Sequence, residues 1–214
     1  MLSQLISSPL ALFYWLLAFG ISLAVHEAAH AWMADRLGDP TAKLSGRLTL
    51  NPLAHIDPLG TLMLFFFHFG WGKPVPVDSY NLRDPRRDSG LISLSGPAAN
   101  FLLATISSFV LRLSFHTSQF SLLASVFLTP IISLNVYWGL FNLLPIHPLD
   151  GGKVLVGFLP TDLALEVEDF LSRYQLIFLM LIIFPFFGNS LVGAIIDPLA
   201  NLIFKLLLPE TPIV

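Results

Sequence analysis

Long apolar runs constrain this chain more than any other feature. Residues 9–33, 91–114 and 121–145 each carry enough consecutive apolar side chains to cross the hydrocarbon of a bilayer, which takes about 20 residues as a helix. Helix is the expected conformation because lipid offers no partner for backbone N–H and C=O groups, and a helix satisfies them internally. Two later runs, 174–187 and 190–208, are separated by Pro185, Gly188 and Asn189, and Asp197-Pro198 interrupts the second. They read either as two spans or as one broken helical hairpin. Charge agrees with a bilayer setting: 12% of the 214 residues are charged, against roughly 25% in soluble domains. The expected fold is an all-α membrane protein, a polytopic helical bundle of about 4–6 transmembrane segments. It forms one membrane-embedded domain over 1–214, with its core in 9–156 and C-terminal helices in 160–210.

Two shorter features vary this plan. The run Thr61–Phe69 is too short to span and is bounded by Pro58-Leu59-Gly60 and Gly70, so a re-entrant or interfacial segment is expected there. The following Gly72–Asp78 stretch alternates valines with two prolines, a composition that suits an edge strand or short β-hairpin. The first apolar run has no Lys or Arg before it and leads straight into charged residues, unlike a secretory signal, and is read as a retained helix. Basic residues set the orientation. Arg36, Lys43, Arg47, Lys73, Arg83, Arg86 and Arg87 all lie between the first two clear spans, which places that loop, and residues 146–173, on the cytoplasmic side.

Within this frame one motif carries chemistry. His26-Glu27-Ala28-Ala29-His30 ends the first span, and positions i and i+4 of a helix share a face. Two imidazoles so placed grip one metal ion, and the intervening carboxylate reaches a water at that ion as general base. Chance is the bland explanation, but ionisable residues in a span are costly and mark function by default. The chain has no cysteine, so a metal here depends on His, Asp or Glu ligands. A catalytic zinc takes three protein ligands and keeps one position open. The third candidate is Asp150, followed by Gly151-Gly152 and preceded by Pro145 and Pro148, which the third clear span returns to the same membrane face. A helix-capping aspartate in a turn is the alternative for it. The net charge of -3 gives no reason to expect a nucleic-acid partner.

These paired motifs, H-E-A-A-H and Asn142-Leu-Leu-Pro145-Ile-His-Pro-Leu-Asp150-Gly151, resemble those of the site-2 protease family, intramembrane zinc metalloproteases. The resemblance implies His26, His30 and Asp150 as ligands of one zinc ion and Glu27 as base. Ser95-Gly96-Pro97-Ala98-Ala99-Asn100 is similar to a further element of the family, which implies a substrate or oxyanion contact for Asn100; a helix-packing asparagine is its plainer reading. The stretches 47–52, 55–60 and 72–77 also resemble small members of the family, so the likeness runs over 9–156. It implies proteolysis of transmembrane substrates, in the cell membrane of a prokaryote; strand addition beside 72–78 is the expected way for an unwound substrate to present its backbone. A zinc-binding transporter or sensor without proteolytic activity is the alternative. No room remains for a PDZ domain, and His147 stands where the family commonly has proline. His147 is read as an interfacial polar residue, and the lone His55, His68 and His116 as structural. Glu166, Glu168 and Asp169 are expected on the solvated face of a short helix, and Arg83, Asp84, Arg86 and Arg87 in a headgroup-level loop. Nothing in the sequence fixes the oligomeric state.

Overall fold

A computed structural model describes residues 8–67, 71–115, 121–183 and 191–208. Helix α1 (Pro9–Leu37) opens on Ser8, whose side chain accepts the Ala11 N–H, with proline at the first helical position, where its missing N–H costs nothing. It stops at Gly38, whose φ of 108° is left-handed and returns the backbone N–H to the last turn. A short helix α2 (Thr41–Leu44) and a 3-10 turn (Pro52–Ala54) lead to α3 (Pro58–Phe67). Ten residues reach only about 15 Å, so α3 cannot span. Helix α4 (Pro85–Ser114) is capped by Asp84, whose carboxylate accepts the Arg87 N–H while its own N–H donates to Asp88. Helices α5 (Ser121–Asn142), α6 (Asp150–Phe158), α7 (Thr161–Ile183) and α8 (Leu191–Leu207) complete the order.

Three helices, Pro9–Leu37, Pro85–Ser114 and Ala124–Asn142, are long and apolar enough to cross a membrane. Helix α4 shows how the pattern is inverted relative to a soluble protein. Its buried face carries Ser93, Ser95, Gly96, Asn100, Ala104, Ser107 and Ser108, whereas Leu102, Ile106, Phe109 and Leu113 are exposed. Small and polar residues let helices approach and bond one another, while large apolar groups face lipid. The chain is an all-α membrane protein. Helices α1, α4 and α5 pack on one another, and a cluster of Ala104, Leu111, Ile132, Val136, Ile196 and Ala200 seats α8 against α4 and α5. Val156, Ala164 and Leu171 join α6 to α7.

Several boundaries differ from the sequence reading. The charged 85–88 stretch is the first turn of α4, because the Asp84 cap starts the helix ahead of its apolar part. Glu166, Glu168 and Asp169 belong to a 23-residue helix, not a short one, since nothing in 161–183 breaks it. The β component reduces, among the described residues, to one isolated antiparallel bridge between Ile56 and Gly72; residues 73–78 form neither helix nor ladder. They are nonetheless fixed: Lys73 N–H donates to His55 O at 2.8 Å, Arg47 donates to Pro74 O at 3.2 Å, and Asp78 N–H donates to Asp39 at 2.8 Å. His68, His116 and the Pro185–Asn189 break lie outside the described residues.

Candidate metal centre

Helix α1 places His26 and His30 on its buried face one turn apart, and the first residue of α6, Asp150, meets them from across the bundle. The two Nε2 atoms lie 3.0 Å apart, and Asp150 Oδ2 is 3.2 Å from His26 Nε2 and 3.3 Å from His30 Nε2. A tetrahedron of ligands bonded to zinc at about 2.0–2.1 Å has edges of about 3.3 Å, so these separations fit one such ion. The outer ring nitrogens are held too. His30 Nδ1 is 2.7 Å from the Ile92 carbonyl, and His26 Nδ1 is 2.6 Å from Asn100 Oδ1. A carbonyl only accepts, so His30 carries its proton on Nδ1 and turns a lone pair inward on Nε2.

The Asp150 Oδ2 atom is buried and makes no hydrogen bond. Three electron-pair donors converging on one point make a site that could hold a cation. A buried carboxylate without a donor is costly, and a divalent ion offsets that cost.

The local sequence makes room for this convergence. A β-carbon on Gly96 would strike the His30 ring and stand 2.7 Å from His26 Cε1. One on Gly151 would strike the Leu143 and Leu144 carbonyls of the turn that leads into α6. Glycine at both positions therefore answers to close approach. Glu27, partly exposed, follows His26 on α1 and faces Gly72, where its Oε1 would lie 3.5 Å from a β-carbon on that residue.

Of the residues expected at the site, His26, His30 and Asp150 come together, Glu27 stands at its edge, and Asn100 touches His26. His147 and His55 stay apart from the cluster. His147 Nε2 lies 3.1 Å from Glu168 Oε2, tying the Asp150 turn to α7, and His55 Nε2 donates to Thr49 O. Asp197 accepts from the Tyr137 hydroxyl at 3.2 Å. Sequence reasoning overlooked Asn135. It is fully buried, donates to Ser22 Oγ and Ile131 O, and accepts from Asn100. An amide in the middle of an apolar span was the available signal.

A membrane-embedded metalloprotease is the class that such a fold and ligand cluster define. Residues 116–182 match the pattern of Peptidase family M50. The chain is 36% identical over 205 residues to "Putative zinc metalloprotease YwhC" of Bacillus subtilis, covering 92% of this chain and 93% of that one. Rip2 of Mycobacterium tuberculosis, similarly named, is 33% identical over 168 residues, 76% of this chain and 63% of Rip2. MJ0611 of Methanocaldococcus jannaschii, also so named, is 30% identical over 140 residues, 65% of this chain and 68% of its own. No solved structure matches the chain. The chain belongs to Peptidase family M50, the site-2 protease family, and is an intramembrane zinc metalloprotease.

Proposed function

We propose that His26, His30 and Asp150 hold the zinc ion, that Glu27 is the general base, and that the substrate is a membrane-spanning polypeptide opened near its cleavage site. The observation that carries this reading is the convergence of two Nε2 atoms and an otherwise unbonded Asp150 oxygen within 3.0–3.3 Å of one another. When bound, zinc supplies a Lewis acid that polarises the scissile carbonyl and makes water a nucleophile near neutral pH. Glu27 takes the proton from that water and returns it to the leaving amine. His26 and His30 keep their ring planes through Asn100 and the Ile92 carbonyl. Asn100 has both polar ends engaged, one by His26 and one by Asn135, which supports a positioning role for it in place of contact with substrate.

A helix hides its carbonyls in internal bonds, so a spanning substrate must unwind before attack. Residues 72–78 are the proposed docking edge: the segment starts beside Glu27, it is pinned at Lys73, Pro74 and Asp78, and the backbone groups of Val75 and Val77 bond no described residue. An extended substrate adding there follows the strand-addition mode of peptide recognition. The remaining features are read with the same frame. The apolar half of α7 and helix α8 add to the three spans, α3 dips in without crossing, and 1–214 forms one domain. The basic 36–87 loop and the metal centre face the cytoplasm of a cell membrane. A transporter or sensor is the less favoured reading, since it has no use for Glu27 beside the docking edge.

The test pairs wild type with Glu27→Gln, purified in detergent and incubated with a panel of single-span peptides, with zinc measured alongside. Cleavage is expected to vanish in Glu27→Gln while zinc stays stoichiometric. Retained cleavage would remove Glu27 from the chemistry, and a metal-free wild type would remove the ligand set.

A further inference from the structure

Three side chains of zero exposure, Ser22 on α1, Asn100 on α4 and Asn135 on α5, form a continuous polar chain between the spanning helices and end on His26. We propose that Asn135 is a positioning residue of the metal centre, which sets the ring orientation and tautomer of His26 from two side chains away. The inference rests on His26 being a zinc ligand.

The direction of the chain follows from its far end. Asn135 Nδ2 lies 2.8 Å from the Ile131 carbonyl and 2.7 Å from Ser22 Oγ. The carbonyl can only accept, so the amide nitrogen of Asn135 faces it. The Ser22 hydroxyl gives its proton to Ala18 O at 2.7 Å, which leaves its lone pairs to take the second Asn135 N–H. Asn135 Oδ1 is thereby turned to Asn100 Nδ2 at 2.6 Å. Asn100 then presents Oδ1 to His26 Nδ1 at 2.6 Å, and an acceptor there requires the proton on Nδ1. His26 Nε2 is left with a free lone pair on the side of Asp150 and His30. His30 reaches the same state in one step, from the Ile92 carbonyl directly. The two ligands are thus set by two backbone carbonyls, one adjacent and one relayed through two amides.

Reversing either amide would place like atoms against each other among fully buried side chains, where each unmatched polar group is costly. The relay also links three helices, so it orients His26 relative to α4 and α5 and not only along α1.

The test measures zinc affinity by chelator competition and the visible spectrum of the cobalt-substituted protein, in detergent, for wild type, Asn135→Leu, Asn135→Ala, Asn100→Asp and Asn100→Asp combined with Asn135→Leu. Loss of an outer partner of a metal-bound histidine weakens metal binding roughly tenfold to a hundredfold. Both single Asn135 variants are expected in that range, with an altered cobalt spectrum and helical circular dichroism retained. A carboxylate at 100 accepts from His26 Nδ1 whatever stands at 135, so in the Asn100→Asp background the Asn135→Leu change should move affinity less than about twofold. An equal loss in both backgrounds, or unchanged affinity and spectrum in the single variants, would overturn the proposal by reducing Asn135 to packing. The control His26→Ala reads the underlying assignment separately: undiminished zinc binding there would mean that His26 is no ligand.

Discussion

Gly96 and His30 touch across α4 and α1 so closely that no β-carbon fits between them. Alanine at 96 must displace the imidazole, because the competing atoms belong to a ring held at Nδ1 by Ile92 and not to a flexible chain end. Gly96→Ala is expected to lower zinc affinity by at least tenfold, corresponding to about 1.4 kcal/mol or more, within the usual cost of overpacking. Zinc content after dialysis against a weak chelator reads this directly, and full retention would show that the rings have room to move.

Asp150 is the one anionic member of the proposed ligand set. Asp150→Ala should leave the two imidazoles unable to retain zinc, with cleavage lost and not recovered in added zinc. Wild type stripped by a strong chelator should likewise lose cleavage but regain it on zinc addition. A variant that stays active would place the third ligand elsewhere.

Helices α4 and α6 meet backbone to backbone at Gly90 and Gly157, where a β-carbon on Gly157 would come within 2.8 Å of Gly90 Cα. Gly157→Ala therefore pushes α6 outward. The expected cost is about 1–3 kcal/mol, a fall in melting temperature of about 2–12 °C. Because α6 begins with Asp150, zinc affinity should drop with it; an unchanged melting curve would contradict the contact.

Asp39 offers a pH-dependent test outside the spans. Its fully buried carboxylate accepts from Thr41 N–H and hydroxyl, Asn81 and Asp78 N–H, clamping the end of α1 to the 78–81 turn. Burial pushes its carboxyl up, but the bonds from Thr41, Asn81 and Asp78 outweigh burial and hold it below the ordinary value. A depressed folded value means that the stabilisation is complete above the unfolded pKa of about 3.9 and is lost as pH falls through the folded one. Hydrogen bonds to a charged group contribute about 1.5–3 kcal/mol. Asp39→Asn should be less stable than wild type at pH 6, and the gap should close towards pH 3 in thermal unfolding. A gap that widens in acid would reverse the sign assigned here.

The parts of the molecule legible in the sequence are those set by local rules. Apolar length announces α1, α4 and α5, and the i, i+4 spacing of His26 and His30 places two candidate ligands on one face. Asp150 was legible as a candidate from its flanking glycines and prolines, and its convergence with the histidines is a tertiary fact. The start of α4 escapes a reading by hydropathy because a cap decides where the helix begins: Asp84 draws six further residues, 85–90, into α4. The alternating valines and two prolines of Gly72–Asp78 suggest an edge strand or short hairpin, but the segment is held by single bonds to Arg47, His55 and Asp39, which no period reports. Asn135 was passed over because its meaning lies in Ile131, Ser22 and Asn100, from three different helices.

Two of the proposed metal ligands ride on one long helix, whereas the third opens a nine-residue helix reached through a tight turn. An ion held by both is a tie between a stiff strut and a separately seated piece. Binding free energy at such a tie is added to the cohesion of the short piece, growing as the logarithm of the ratio of free zinc to its dissociation constant. Depletion of zinc should accordingly be felt as local loosening of 143–158, visible in amide exchange, well before the long helices part.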